Sequence, residues 1–437
     1  MKAALIPLYH SDYPFERAAS FLEEAVHRLK RRKLEVLVTS KVSESSETRR
    51  VAREVLNFDP DAVIFFVLTW IEAPAAVSLA RELSSYPMIV WGLRMYYESG
   101  RRESTGSLPG AAVLKASLEA VGYRPKFVVG LPDEAEALDD VYRYCLVASA
   151  VKKLSRSKIG LVGYASMGMY TAMFDPISMR SRLGVDVVHI DTSSIFKELH
   201  GIKEDEALKA VEGWKKKYFI ESDVREEDLF MAAKIYLVFK KLVEELRLEG
   251  LTVKCQYEFS KDLGFVPCVP ISVLADEGVV CSCEGDVPLT VTMLVFHYLT
   301  KQPIYYGDLV DIRDNRVYLS SCGFAPLSLS ASPKMGIGVH KYFFKGLRSS
   351  IVLREGEVTL ARLGVVRGEY RMHVALGKIV ETELRQGLFP AAEIELKGDI
   401  NAFIENVMSQ HYALAYGDLR SHLRALCDMV KVKYIET

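Results

Sequence analysis

The chain has few amide side chains, no long apolar run and almost no net charge. It contains four Asn and four Gln among 437 residues, beside 56 basic and 57 acidic residues. Thermolabile amides are depleted in proteins from hot environments, so this composition predicts a thermophilic source. The formal net charge of −1 gives no electrostatic footprint for nucleic acid.

Features of membrane and exported proteins are also missing. No stretch reaches the roughly 18 uninterrupted apolar residues that a membrane helix needs. Pro7 follows the first residues too closely for the apolar h-region of a secretory signal. The seven cysteines are an odd number, and Cys281 and Cys283 have C-x-C spacing instead of the zinc-type C-x-x-C. We therefore expect a cytoplasmic protein that binds neither membrane nor nucleic acid, with cysteines in structural roles.

The first 130 residues alternate short apolar runs with amphipathic stretches. Runs rich in Val, Ile, Phe and Leu predict strands at 3–8, 35–39, 62–69 and 88–93. This alternation predicts a mostly parallel sheet covered by helices, and ligands gather at the carboxyl ends of such strands. His10, Trp70 and Tyr96 follow predicted strands and are candidate substrate-binding residues, although each type serves more often in packing or on the surface.

A second α/β unit is predicted to begin near residue 126. Lys126–Gly130 and Lys158–Tyr164 have strand-like sequences, with a long helix predicted between them at Glu134–Leu154. The segment Gly163–Met169 follows the second strand and is glycine-punctuated. It does not match G-x-G-x-x-G, so nucleotide binding has no specific support.

From about residue 265 the pattern changes to one helix, Leu289–Leu299, and many short β-like runs separated by glycines and charged turns. This pattern is typical of an antiparallel β domain, either closed or sandwich-like. The sequence therefore predicts an α/β protein of three domains. Two N-terminal parallel-sheet α/β domains (1–125 and 126–264) precede a C-terminal, mainly antiparallel β domain with flanking helices (265–437).

Two carboxylates of the last domain lie where strand-like runs end. Glu284 ends an apolar run, and Asp286 occupies the expected N-cap position of the next helix. Asp308 follows the short strand-like run Pro303–Tyr306, and we expect Gly307 to turn the backbone tightly before it. Taken singly, Glu284 is equally well read as a surface carboxylate, and Asp308 as an ordinary turn aspartate.

His411 supplies an imidazole late in the chain, beside another β-like run. Together with Glu284 and Asp308 it makes an open coordination shell for a hard divalent cation, with positions left for water or substrate. Such a set is suited to proton transfers at a sugar carbonyl. A lone histidine is more often a core or surface residue, so the assignment rests on the three side chains together.

These segments resemble the L-fucose isomerase/L-arabinose isomerase family of manganese-dependent aldose–ketose isomerases. In the fucose branch a Thr-Glu-Asn-Asp segment precedes a Phe-Ala-Asp segment by 24 residues, and a metal-binding histidine lies near the C-terminus. Here Asp308, in Tyr-Gly-Asp, lies 24 residues after Glu284, and His411 follows. The arabinose branch carries Glu-Gly-Asp, as this chain does at Glu284–Asp286. Ser166-Met167 resembles the start of a Ser-Met-Gly segment in the fucose branch.

The resemblance implies Mn²⁺, or another divalent cation such as Co²⁺ or Mg²⁺, held by Glu284, Asp308 and His411. It also implies that Glu284 and Asp308 form the catalytic acid/base pair, without deciding which of them removes the C2 proton. Ser166 and Met167 are implied to contact substrate. A homo-oligomer, either a trimer or a hexamer, is the expected assembly.

The sequence thus predicts a metal-dependent aldose–ketose isomerase that acts on an open-chain pentose or 6-deoxyhexose through a cis-enediol(ate). His340, in the β domain, is a further candidate for the substrate pocket. Two alternatives remain: a sugar or sugar-acid epimerase that uses the same metal site, and a non-catalytic cytoplasmic sugar-binding protein built on the paired α/β domains.

Overall fold

A computed structural model describes residues 1–13, 16–165, 168–341, 344–384 and 386–437. The chain divides into two compact units, Met1–Lys152 and Lys153–Thr437. Each contains a parallel sheet with helices, and the second adds a mixed sheet, so the predicted α/β class is confirmed. None of the helices in these ranges combines the length and apolar character that a membrane crossing requires. The three-domain division stays a prediction.

The first unit is a parallel sheet with helices between its strands. Its strands are β1 (Lys2–Leu8), β2 (Glu35–Val38), β3 (Ala62–Val67), β4 (Met88–Gly92), β5 (Tyr96–Glu98), β6 (Arg101–Glu103) and β7 (Lys126–Val129). Its helices are α1 (Glu16–Arg31), α2 (Thr48–Phe58), α3 (Ala73–Glu82), α4 (Ser107–Ala120) and α5 (Ala135–Leu154). The sheet has the order β2-β1-β3-β4-β7. Its central strands β3 and β4 are fully buried, as their continuous apolar sequences require.

The strand β7 lies at the edge of this first sheet, in parallel register with β4. The sequence pattern predicted instead that it opens the second α/β unit. The helix α4 connects β4 to β7, which is the usual crossover between neighbouring parallel strands. Periodicity identifies a strand correctly but carries no information on which sheet the strand joins.

The second unit contains the remaining elements. Its strands are β8 (Lys158–Val162), β9 (Asp186–Ile190), β10 (Phe219–Ile220), β11 (Gly250–Val253), β12 (Val280–Cys283), β13 (Tyr305–Arg313), β14 (Arg316–Ser320), β15 (Gly336–Val339), β16 (Leu347–Ser350), β17 (Gly356–Val366), β18 (Glu369–Val380), β19 (Ala391–Leu396), β20 (His411–Tyr416) and β21 (Lys433–Glu436). Its helices are α6 (Pro176–Leu183), α7 (Thr192–Gly201), α8 (Glu204–Lys217), α9 (Glu226–Leu246), α10 (Cys268–Asp276), α11 (Val287–Thr300), α12 (Ile400–Glu405) and α13 (Arg420–Val430).

Two larger sheets of the second unit are joined by α11. The parallel sheet has the order β12-β11-β8-β9, and β10, β15 and β16 form a small third sheet. The helix α11 follows β12 and contacts β11 and β12 as well as β17 and β20. It is buried along nearly its whole length because both sheets cover it, which explains its almost uninterrupted apolar sequence.

The C-terminal strands close into a ring. The order β17-β20-β13-β14-β19-β18 is completed by pairing of β17 with β18, and all these pairs are antiparallel. The strand β21 adds to β18 in parallel. The closed form of the predicted antiparallel region is therefore the one observed, and closure leaves the six ring strands without an unpaired edge along their shared register.

The tight turn predicted at Gly307 is wrong. The strand β13 runs through Gly307 and Asp308 without interruption. A Cβ at Gly307 would lie 2.9 Å from the Ser320 backbone nitrogen and 3.0 Å from Tyr305 Oη. Glycine is needed there for close packing within the ring, and not for a turn.

His373 of β18 connects the ring to the chain end and sets a pH dependence. Its Nδ1 lies 2.6 Å from Tyr412 Oη, and its Nε2 lies 2.9 Å from Thr437 Oγ1. Burial lowers the pKa of His373 from 6.5 to about 4. Between these pH values the unfolded chain binds a proton that the folded chain does not. Stability is therefore lost as the pH falls from about 6.5 to about 4.

We expect His373→Asn to reduce this loss, which for one such imidazole is on the order of 3 kcal/mol. Urea denaturation at pH 7 and pH 4.5 measures it. The difference in unfolding free energy between the two pH values should decrease without vanishing, because burial and Arg348 also lower the pKa of His340 to about 4. His189→Asn, at an exposed position, should keep the wild-type difference. An unchanged difference in His373→Asn would contradict the role assigned to His373.

Candidate active site

Glu284 lies directly after β12, at the carboxyl edge of the parallel sheet. Its backbone nitrogen donates to the Val253 carbonyl at 2.8 Å, and its φ is 64°, in the left-handed region. This conformation costs a non-glycine residue on the order of 1 kcal/mol or more. Gly285 follows with φ 68°, and a Cβ there would lie 2.4 Å from the Tyr164 carbonyl oxygen. The sharp bend therefore fixes where the Glu284 side chain begins.

Asp308 and His411 are brought together by strand register. They lie directly opposite each other where β13 pairs with β20. The Nε2 atom of His411 lies 3.2 Å from Asp308 Oδ1. Cross-strand partners have neighbouring Cβ atoms, so the sheet itself holds these two side chains side by side.

The three predicted ligands meet at His411 Nε2. Glu284 Oε2 lies 3.4 Å from this nitrogen. The Nε2 atom is buried and makes no hydrogen bond of suitable geometry with any described residue. The imidazole is 1% exposed, against 13% for the Glu284 side chain and 36% for Asp308. A buried ring nitrogen thus faces two partly open carboxylates, the arrangement expected of a site that receives a cation and a polar ligand.

Asp286 holds the other side of the imidazole. Its Oδ1 accepts the Leu289 backbone N–H at 3.0 Å, which confirms the predicted N-cap of α11. Its Oδ2 lies 2.8 Å from His411 Nδ1 and accepts from Arg362 Nη1, also at 2.8 Å. The sequence identified the cap but missed this second role, which fixes the ring orientation and places the Nδ1 proton toward Asp286.

Arg362, on β17, is the third member of this series of hydrogen-bonded side chains and is fully buried. Its Nη2 donates to the Thr171 carbonyl at 2.8 Å. Burial by itself raises the pKa of Asp286, but Arg362 and His411 more than offset this and lower it to about 2. Sequence reasoning missed Arg362, although an arginine within an apolar strand signals a buried ion pair.

The charge on His411 depends on the carboxylates around it. Burial by itself lowers its pKa, whereas Asp286, Asp308 and Glu284 raise it well above the ordinary value. Since Arg362 balances Asp286, the charges of Glu284 and Asp308 are left to be balanced at Nε2. A proton at this point offsets one of these two charges, whereas a divalent cation offsets both.

The donor set fits a divalent cation chemically. Two carboxylate oxygens and one imidazole nitrogen are usual ligands of such ions. Neighbouring ligands on an octahedral ion with bonds of about 2.1 Å lie roughly 3 Å apart, close to the 3.2 and 3.4 Å spacings around Nε2. As it stands, no group of three or more His, Cys, Asp or Glu in the described ranges is arranged to hold a metal ion. Metal binding is therefore a proposal from donor chemistry.

A second polar group lies beside Glu284, at the end of β11. Gln256 Nε2 donates to Glu284 Oε1 at 3.2 Å. Lys254 is fully buried, with its Nζ 2.6 Å from Glu258 Oε1 and 3.5 Å from the centre of the Tyr164 ring. Sequence reasoning missed both Gln256 and Lys254. Their signal was a polar pair immediately after a buried strand.

The other predicted residues are placed as follows. Ser166 and Met167 lie outside the described residues. His10 and Trp70 lie at the carboxyl edge of the first unit's sheet, where the His10 backbone N–H donates to Thr69 Oγ1 at 2.9 Å. Tyr96 is buried against Phe21, with ring centroids 5.1 Å apart. His340 is buried in the second unit. Their roles in substrate binding stay predictions.

Among proteins of known function, the chain is similar to sugar isomerases over nearly its whole length. The relatives are sulfoquinovose isomerases. That of Priestia megaterium is 27% identical over 438 residues, covering 98% of this chain and 97% of the relative. The Clostridium sp. (strain MSTE9) enzyme is 23% identical over 449 residues, with coverages of 99% and 98%. These relatives confirm the prediction of an enzyme of the isomerase class.

No protein-family model matches the chain. Among solved structures, a solute-binding protein from Agrobacterium vitis with bound alpha-D-tagatopyranose has 11% identity and a TM-score of 0.19. That comparison covers 69% of this chain and 90% of the other. A TM-score this low carries no argument about fold or function.

We expect Arg362→Met to destabilise the protein by about 3–5 kcal/mol, because Asp286 then keeps a buried charge without its cationic partner. Chemical denaturation of the purified protein measures this loss. Arg371→Met is the matched control, since Arg371 pairs with Glu369 in a partly exposed ion pair and should change stability by less than about 1 kcal/mol. Equal losses in the two variants would contradict a special role for Arg362.

Proposed function

We propose that the chain is a divalent-cation-dependent aldose–ketose isomerase, with Glu284, Asp308 and His411 as the cation ligands. The observation that carries the proposal is the convergence of two carboxylates on His411 Nε2, while Asp286 fixes the opposite ring nitrogen. The resemblance to the L-fucose isomerase/L-arabinose isomerase family supports the same three ligands. Mn²⁺ is the proposed ion, with Co²⁺ or Mg²⁺ as alternatives.

The acid/base work falls to Glu284 and Asp308. Isomerisation moves one proton from C2 to C1 of the opened sugar and another between the two oxygens. One carboxylate takes and returns the carbon proton, and the other serves the oxygens. A bound cation would polarise the carbonyl and stabilise the negative charge that develops on these oxygens. Gln256 orients Glu284 by its hydrogen bond to Oε1.

In this proposal His411 is a ligand whose ring orientation is fixed by a hydrogen bond at its other nitrogen, Nδ1. Asp286 accepts its Nδ1–H, and Arg362 keeps Asp286 ionised. The lone pair of Nε2 is thereby directed toward Glu284 and Asp308. Such carboxylate–imidazole support raises the basicity of a ligand and typically contributes 10- to 100-fold to metal affinity or activity.

The proposed substrate is an open-chain pentose or 6-deoxyhexose. The relatives act on sulfoquinovose, a sulfonated 6-deoxyhexose, and so favour the second. A cytoplasmic homo-oligomer, trimer or hexamer, remains part of the proposal on the resemblance alone. An epimerase with the same site and a non-catalytic sugar-binding protein are the alternatives.

Metal-stripped protein should be tested with and without Mn²⁺ on L-fucose, D- and L-arabinose, quinovose and sulfoquinovose in D₂O, followed by NMR. We expect a ketose only when the cation is added, with deuterium entering the carbon that receives the proton. A C2 epimer without ketose would instead indicate an epimerase. Sugar binding with neither turnover nor stoichiometric metal would indicate a binding protein.

Glu284→Gln and Asp308→Asn should each lower kcat by at least about 10²–10⁴-fold, because each removes a proton acceptor and an anionic ligand. The measurements are kcat and the Mn²⁺ content of each variant. Asp311→Asn is the matched control, since Asp311 lies on the same strand with its side chain 40% exposed. Full activity in Glu284→Gln would overturn the proposed assignment.

A further inference from the structure

The aromatic ring of Tyr164 lies at the rim of the candidate active site. Tyr164 follows β8 and is 54% exposed. A Cβ at Gly285 would lie 2.4 Å from the Tyr164 carbonyl oxygen, so the Tyr164 backbone packs directly against the residue that follows Glu284. An exposed ring thus begins next to a proposed catalytic carboxylate.

One face of the Tyr164 ring is occupied by a buried ammonium group. Lys254 Nζ lies 3.5 Å from the ring centroid, and the Lys254 side chain is 0% exposed. A cation over the face of an aromatic ring is attracted to it, more strongly where water is excluded. The ring is therefore held in place although about half of the residue is open to solvent, and its exposed part lies away from Lys254.

Lys254 is itself held by an ion pair and by close packing. Its Nζ lies 2.6 Å from Glu258 Oε1. Burial by itself lowers the pKa of Lys254, but Glu258 and Tyr164 more than offset this and raise it, so the ammonium is charged at neutral pH. A Cβ at Gly163 would lie 3.1 Å from Lys254 Cβ, so the backbone before Tyr164 lies close against the lysine.

The segment 254–258 fixes this ring and the catalytic carboxylate together. Gln256 Nε2 donates to Glu284 Oε1 at 3.2 Å. Tyr257 has φ 70° and ψ −76°, a rare and strained conformation, and it begins a turn of π-helix over Glu258–Leu263. Strained backbone and π-helical turns occur frequently at functional sites. One strained segment therefore sets the positions of an exposed aromatic ring and of Glu284, as expected if both contact the same ligand.

We propose that Tyr164 is a substrate-binding residue whose ring packs on the C–H face of the sugar, and that Lys254 is its positioning residue. This inference rests on the proposed isomerase function. Hydrogens on sugar carbons carry a small positive charge, which favours contact with the electron-rich face of an aromatic ring. The proposed cation and carboxylates act at C1 and C2, and the ring supplies the apolar contact for the carbons that do not react.

Steady-state kinetics of the Mn²⁺-loaded protein, with a sugar that it isomerises, test this contact. Tyr164→Ala should raise KM about tenfold and change kcat less than about threefold, because the ring contacts carbons that do not react. Tyr164→Phe should retain most of the affinity, since the ring remains. Phe219→Ala, at an exposed aromatic residue of the second unit, is the control and should match wild type. An unchanged KM in Tyr164→Ala would contradict the proposal.

The positioning role of Lys254 is tested by a double-mutant cycle. Lys254→Met removes the charge beside the ring and should raise KM several-fold, but it should add little to the loss in Tyr164→Ala. Lys254→Gln, which keeps a hydrogen-bond donor for Glu258, takes its place if Lys254→Met does not fold. A merely structural role for Lys254 would give additive effects on KM, and this result would rule out positioning through Tyr164.

A further measurement needs no catalysis. Saturation-transfer NMR of the metal-stripped protein, with irradiation of aromatic protons, should label the C–H protons of L-fucose, quinovose or L-arabinose in wild type and Tyr164→Phe. The transfer should fall markedly in Tyr164→Ala. No transfer to any of these sugars, or equal transfer in Tyr164→Ala, would overturn the contact. If sugars bind through Tyr164 but none is isomerised, the isomerase proposal fails and the contact stands.

Discussion

The buried chain from Arg362 through Asp286 to His411 is the interaction on which the rest of the site depends. Asp286 caps α11, receives Arg362 from β17 and holds His411 on β20. One carboxylate thus ties a helix end to two strands of the ring. The ionised form of Asp286 is favoured because the Arg362 guanidinium is as deeply buried as the carboxylate. Loss of any member would affect both folding and the direction of His411 Nε2, so stability and ligand geometry are coupled here.

Local sequence identified the acids but not how they meet. Glu284 ends a buried apolar run, so its place at the edge of a sheet followed from the pattern alone. The contact of Asp308 with His411 depends on the pairing of β13 with β20, which joins residues about a hundred positions apart. Residue type and spacing suggested a ligand set only together with the family resemblance. Periodicity alone does not say which strands pair.

Other features could not be predicted because their causes lie between distant segments. The partner of Arg362 is set by the path of β17 around the ring, and the glycine at 307 is required by Ser320 and Tyr305 rather than by a turn. The strand β7 was recognised as a strand, yet the sheet it joins is decided by packing. In each case the local pattern gave the element type, and tertiary contacts gave its role.

The closed ring of six strands also limits how this protein is able to vary. Adding or deleting one residue inside β13 or β20 would turn Asp308 or His411 to the opposite face of its strand. An open sheet absorbs such a change by sliding its edge strand, but here each ring strand is paired on both sides. Length changes should therefore be confined to the connections between strands. The number of residues within β13 and β20 should stay fixed, because it sets the positions of Asp308 and His411.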